Sequence, residues 1–291
     1  MTKRDARVGL LFASPWILGF VVFVAGPILA SLYYSMTNYS VLTQPKWLGL
    51  SNYAELPRDD VFLTTLKNTL FYVLGAVPLS TVAAICLALL LNTKVKGMAF
   101  YRTIFFLPSL VPMIALATLF LWIFNGDYGI LNAGLKFLHL PQPNWLGEPA
   151  WTKWTLILIS MWGCGQAMII YLAGLQDVPV NLYEAADLDG AGGLMKFRKV
   201  TIPMISPVIL FNVIMGIIGS IQIFAVPYVM FPDGGQAHSA YFFATYLYDN
   251  AFAYHRMGYA SAMGWVMFAI TLTLTVIAMK LSEKHVHYEG G

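Results

Sequence analysis

Six stretches of this chain carry no charged side chain: between Arg7 and Lys46, Lys67 and Lys94, Arg102 and Asp127, Lys153 and Asp177, Lys199 and Asp233, and Arg256 and Lys280. Each can supply the roughly 20 apolar residues with which a helix crosses a hydrocarbon core. The runs are continuous rather than alternating, which argues against the strands of a membrane barrel. The pattern predicts an all-α polytopic membrane protein with six transmembrane helices. One further segment, "GGQAHSAYFFATYLYDN", is short, rich in Tyr and opens on paired glycines. It reads as an interfacial helix outside the hydrocarbon core. Pro15, Pro27, Pro78, Pro108, Pro112, Pro207 and Pro227 fall inside the runs. They predict breaks that survive in a membrane where neighbouring groups re-satisfy the freed carbonyls. Both ordinary kinks and helices that move fit them.

Composition agrees with this pattern. Apolar and aromatic residues make up 58% of the 291 residues and charged ones only 11%, against about 25% charged in a soluble domain. The net charge of +3 is too small to argue for nucleic acid. Cys86 and Cys164 lie in apolar runs and have no metal or disulfide spacing. His238 and His255 look external, His285 and His287 belong to a polar tail, and no metal site is predicted. The basic start before the first apolar run is followed by no A-x-A cleavage site, so a retained first span is expected.

Lys and Arg orient the spans. Eleven of the seventeen fall on the face that holds the N-terminus, the loops around 92–102 and 177–202, and the C-terminus: Lys3, Arg4, Arg7, Lys94, Lys96, Arg102, Lys196, Arg198, Lys199, Lys280 and Lys284. The bias places both termini in the cytoplasm. The expected organisation is a cytoplasmic N-terminus at 1–7, a transmembrane domain at 8–280 with the loop at 177–202 between helices 4 and 5, and a cytoplasmic tail at 281–291.

That loop is the most polar long segment of the chain. In "NLYEAADLDGAGG", Asn181 reads as an N-cap and Glu184 as the acid of a capping box. Glu184, Asp187 and Asp189 would then sit near the positive end of the helix dipole. Gly190 breaks or caps this helix, and a second short helix, "LMKFRKV", leads to Pro203 in the first turn of helix 5. The result is a helix-turn-helix elbow carrying small and apolar residues. Such an elbow can either join two spans or dock in a groove on a partner.

Few polar groups lie within the spans, where an unpaired one is costly. Trp162 and Gln166 fall four apart in helix 4, on one face, and Asn212 and Gln222 fall in helix 5. Amides bond hydroxyls as donor and acceptor and an indole ring offers a face to stack on, so these four are candidates for a path taken by a polar, uncharged solute; bonds within the bundle are the other reading. Trp145, Trp151 and Tyr248 read as interface anchors. The spans hold no Asp or Glu for proton coupling. No G-x-x-x-x-G-K-[ST], H-E-x-x-H or G-x-S-x-G occurs, so neither a nucleotide site nor an enzyme is indicated in this chain.

"EAADLDGAGGLMKFRKVTIP" resembles the EAA loop of permeases in binding-protein-dependent ABC importers. That pattern has E-A-A, three residues, G, nine residues, then I-x-L-P. Here Glu184, Ala185 and Ala186 are followed by Gly190, then Val200, Ile202 and Pro203. The resemblance extends to "WLGLSNYAEL", "TTLKNTLFYV", "RTIFFLPSLVPMIALATLFLWIFNGDYGILN", "IIGSIQIFAVPYVM" and "GYASAMGWVMF", which are similar to the first of two permeases in carbohydrate importers of the maltose and glycerol-3-phosphate type. Ala225 stands where that family often has an acid, and there is no large external domain.

The resemblance implies a heteromeric complex in the cytoplasmic (inner) membrane of a bacterium or archaeon. Its other members would be a second, homologous permease, two ATP-binding cassette ATPases that hold ATP and Mg, and an extracytoplasmic sugar-binding protein; this chain would carry no cofactor. The loop at 184–195 would be the coupling helix, with Glu184, Ala185, Ala186, Asp187, Gly190, Ala191, Leu194 and Pro203 contributing to the ATPase contact. An ion-coupled carrier working without an ATPase is the alternative.

Overall fold

The computed structural model describes residues 3–93 and 95–283, with the side chains of 3–7 and of residue 10 left undescribed. Lys94, Lys284, His285, His287 and the tail beyond 283 therefore lie outside the described residues. Among the described residues helices dominate, and extended pairing is limited to isolated bridges at Thr37–Trp47 and Ser40–Thr43. Four helical stretches among the described residues are long and apolar enough to cross a membrane: Leu11–Ser35, Asp60–Leu91, Ser206–Met230 and Met257–Ser282. Two bent pairs bring the number to six if each is one span: Met98–Leu110 with Met113–Ile123, at 97°, and Pro149–Trp162 with Gly165–Gln176, at 46°.

The third and fourth uncharged runs are thus not single straight helices. In the third, Leu107–Leu110 tightens into a 3₁₀ turn and Val111 turns extended (φ −70°, ψ 126°) ahead of Pro112. The ring of a proline disfavours the α conformation in the residue before it, and Pro112 then caps the next helix with no N–H to leave unpaired. In the fourth run the break falls at Gly163 and Cys164 without a proline. The fifth is interrupted at Gln222–Phe224. Pro207 occupies a first helical turn, where its missing N–H costs nothing; Pro27 follows the π turn at Val21–Ala25 within a continuous helical stretch, and Pro15 and Pro78 lie inside helices.

The chain forms two compact units, Met1–Leu63 with Tyr246–Ala269, and Thr64–Thr245 with Ile270–Gly291. Asp59 organises the first. Its Oδ1 accepts from the backbone N–H of Val61 and Phe62, capping the helix that follows. Its Oδ2 accepts from the hydroxyls of Tyr246 (2.6 Å) and Tyr259 (2.7 Å). Nearby, the Asn52 amide donates to the carbonyls of Ser35 and Thr37, each at 2.8 Å. Arg256 pairs with Glu55 and lies over the Tyr259 ring. By contrast, no residue in the apolar window of Leu11–Ser35 is buried.

The second unit holds two apolar cores. One gathers Tyr72, Phe120, Phe124, Trp145, Leu156 and Phe242, the other Ala84, Ala88, Met168, Tyr171, Leu172 and Ile205. Gly165 lets one helix approach the backbone of Phe105 so closely that a Cβ would stand 2.7 Å from its carbonyl oxygen. Two sequence expectations fail here. The segment 234–250 is not one surface helix: it opens in 3₁₀ turns, only Phe243–Tyr248 forms an α-helix, and Phe242 and Phe243 are buried within the protein. The Asn68 amide holds the carbonyls of His238 and Tyr241, and Thr69 Oγ1 accepts from the Phe243 N–H. Trp145 is no interface anchor either. It is buried, with Nε1 donating to Asn132 Oδ1 at 2.8 Å.

Two outcomes are expected. Gly165→Val should lower stability by about 1–3 kcal/mol, the usual cost of overpacking, whereas Gly134→Ala, with nothing within 4 Å of the added carbon, should not; thermal unfolding in detergent distinguishes them. Burial works to raise the Asp59 carboxyl, but its four donors outweigh it and hold the group below the usual carboxylate value. The stabilisation it gives is then present above that ordinary value and is lost as pH falls through the depressed one. Asp59→Asn should lower the melting temperature at neutral pH and narrow the gap to wild type in strong acid; a gap that does not change with pH would argue against the linkage.

Candidate functional site

The elbow begins two residues before the sequence suggested. Helix Val180–Leu188 has Pro179 at its N-cap with no side-chain bond, so Asn181 is inside the helix and Glu184 is not a capping-box acid. Proline needs no partner for a missing N–H, and its extended ψ of 130° starts the helix without Asn181. At the other end the stop is well formed. Gly190 takes φ +74°, Ala191 N–H reaches Ala186 O at 2.9 Å, and Gly190 N–H reaches Asp187 O at 3.0 Å. This pair of bonds is a Schellman closure, which requires a left-handed residue at the position of Gly190.

The chain re-enters a helix at Gly193–Lys196, passes through a wider π turn at Phe197–Thr201 and continues to Met204. Pro203 therefore belongs to the connection, and Pro207 takes the first-turn position of the following helix. Two side-chain ties close the elbow: Lys196 Nζ to Asp187 Oδ1 at 2.8 Å, and Tyr183 Oη to Thr201 Oγ1 at 3.0 Å. The tip then presents apolar groups to the outside. Leu188 is 91% exposed and Leu194 81%, with Met195 beside them, while Glu184 and Ala185 are also exposed and Ala186 and Ala191 are half-buried. Burial of a leucine side chain is worth about 1.5–3 kcal/mol, so two leucines at a rigid tip are poised for a groove.

The four candidate path residues do not form one cluster. The break at Gly163 and Cys164 puts Trp162 and Gln166 on different helices, and Trp162 packs edge-on against Phe120. Gln166 and Asn212 instead line one cavity of about 370 Å³ with Ser80, Thr81, Ser160 and Tyr171. Gln222 lines another, of about 530 Å³, with Tyr72, Met113, Leu156, Ser220 and Phe224. All three helix interruptions border this larger chamber, through Met113, Gly163 and Gln222–Phe224. Irregular backbone at membrane depth is tolerated where it is buried in protein or lines a cavity. Neither cavity is lined by a charged side chain. Tyr72, Ser220, Ser80, Thr81 and Tyr171 were missed in the sequence because single hydroxyls on apolar helices give no periodic signal.

Comparison with known proteins joins the elbow and the chambers to one family. A family model described as "Binding-protein-dependent transport system inner membrane component" matches residues 61–288. A relative in Bacillus subtilis (strain 168), "Probable ABC transporter permease protein YesP", is 41% identical, covering 99% of this chain and 94% of that protein. The arabinooligosaccharides transport system permease protein AraP of the same organism is 33% identical over 94% of this chain and 87% of its own. Among solved structures, a chain of a bacterial ABC transporter involved in the import of the acidic polysaccharide alginate has the same fold, with a TM-score of 0.82 and 24% identity over 97% of this chain and 98% of that one. With the matched region taking in both the chambers and the elbow, this chain belongs to the family of inner-membrane permease components of binding-protein-dependent ABC transport systems.

Proposed function

We propose that this chain is one of two membrane permeases in an ATP-driven importer of a neutral carbohydrate. The observation that carries the reading is the elbow: an E-A-A…G segment whose glycine closes a left-handed turn and whose two leucines stand exposed at its tip. In this reading the bent pairs each count as one span, giving six between 8 and 280, and both termini and the elbow face the cytoplasm of a bacterium or archaeon. A second permease of the same family, two ATPases that bind ATP and Mg, and an external binding protein complete the complex. The hydrolysis belongs to the ATPases.

Leu188 and Leu194 enter a cleft of one ATPase, and the Asp187–Lys196 and Tyr183–Thr201 ties let the elbow move as a rigid body when the ATPases close. That movement converts the spans between inward-open and outward-open arrangements. Reciprocity of linkage means that sugar delivery also biases the ATPases. The carbohydrate reading is supported by the arabinooligosaccharide relative and by cavities that offer hydroxyls and amides without charge.

Three experiments test the proposal. Native mass spectrometry of the gently purified chain should give a complex with one different permease and two ATPases; a lone chain or a homodimer would overturn it. The double change Leu188→Asp with Leu194→Asp should leave membrane insertion intact and release the ATPases. Gly190→Ala should weaken ATP-driven uptake more than Gly190→Asn, because Asn tolerates the left-handed region and Ala is penalised there by about 1–2 kcal/mol. Equal uptake by all three forms would remove the elbow from the coupling role.

A further inference from the structure

The two chambers share part of their lining. Ser160, Gly163 and Gly216 border both, so the cavities adjoin at a shared border, the neck, made of one hydroxyl and two glycines. A Cβ on Gly216 would meet the Val77 side chain at 3.5 Å, and one on Gly163 would meet nothing closer than 3.8 Å. The glycines are thus not forced by packing: an added Cβ would stand at ordinary contact distance, and as glycines they place no side chain on the shared border. Along helix Ser206–Ile221, Asn212, Gly216 and Ser220 recur every four residues, roughly one turn apart. They set a polar rung in one chamber, the neck, and a polar rung in the other.

The smaller chamber is equipped for a ligand in its own right. Tyr171 is fully buried, and its hydroxyl neighbours that of Thr81. The paired hydroxyls of Tyr171 and Thr81 border the cavity, where a bound hydroxyl can join them. Asn212 gives one amide hydrogen to Val208 O at 2.9 Å and keeps its carbonyl oxygen as an acceptor, and Gln166 opens its amide to the same space. Donors and acceptors are therefore mixed and uncharged, which matches a polyhydroxylated ligand.

We propose that this chamber is a second carbohydrate station, formed by Gln166, Asn212, Tyr171 and Thr81. It is separated by the Gly163–Gly216 neck from the chamber that holds Gln222. The proposal rests on the importer reading and adds an ordered pair of stations to it, with Tyr171 and Thr81 as specificity-determining residues. A sugar unit leaving Ser220 and Gln222 would exchange one set of hydroxyl bonds for another a helical turn away, without being released into a bare apolar passage.

The test uses the assembled transporter in proteoliposomes with Cys86→Ser and Cys164→Ser as the background. Ser220→Cys reports on the larger chamber and Thr81→Cys on the smaller; Ser80→Cys replaces the latter if it fails to assemble. Each is labelled with a methanethiosulfonate ethylammonium reagent. The sugar is whichever of a panel from monosaccharides and polyols to lactose, maltose and arabinotriose shows ATP-dependent uptake. Saturating sugar should slow labelling several-fold at both positions, and Tyr171→Phe should raise the sugar concentration needed at residue 81 while leaving that at residue 220 unchanged. Protection at residue 220 alone, or at neither position while uptake continues, overturns the second station and leaves the importer reading intact. Uptake of no member of the panel overturns the carbohydrate reading and the station with it.

Discussion

A backbone that crosses hydrocarbon has to satisfy its own N–H and C=O groups, and an interruption in a helix releases several at once. Three of the apolar runs in this chain are interrupted, at Leu107–Pro112, at Gly163–Cys164 and at Gln222–Phe224. Scattered over a lipid-facing surface, such breaks would be costly. Here each contributes to the wall of one uncharged chamber, where protein, water or a ligand can take the released groups. The chamber and the breaks therefore explain one another: the breaks make room between helices that would otherwise pack closely, and the room makes the breaks tolerable.

The elbow follows a different economy. It is held by local bonds, with a Schellman turn at Gly190, a surface ion pair and one hydroxyl contact. An exposed ion pair contributes at most about 1 kcal/mol, so these ties fix geometry more than they add stability. What remains unsatisfied is apolar, at Leu188 and Leu194. On the coupling role proposed above, these leucines are what a partner would bury and, through the tied elbow, move. The outer face of Leu11–Ser35 is unsatisfied in the same sense, though lipid alone can cover it.

Electrostatics have a small part in this molecule. The described ion pairs lie at the elbow and beside Asp59, with none along the chambers. Asp59 caps a helix while accepting two tyrosine hydroxyls. Burial and the bond to Asp59 push the Tyr246 phenol up to about 12, so it remains a donor throughout the physiological range. Charge is spent outside the apolar runs, and uncharged hydroxyls and amides are what the interior offers a solute.

The sequence by itself determined the six apolar runs, the helical class and the elbow with its glycine turn. Each of these rests on local chemistry: uninterrupted hydrophobicity, a left-handed glycine and the spacing between fixed residues. It also pointed to Gln166 and Asn212 as polar groups in apolar surroundings. It misassigned Asn181, because a helix start can be capped by Pro179 with no side-chain bond. It misassigned Trp145 and the 234–250 segment because their partners, Asn132, Asn68 and Thr69, are distant in sequence or carry no pattern. Only the tertiary structure decided that Trp162 and Gln166 part at a helix break, that Gln166 joins Asn212 rather than Gln222, and that Tyr171 and Thr81 share their cavity. Which side chains face one another across a space is set by where helices bend and how closely glycines let them approach, and neither is encoded in the period of a single helix.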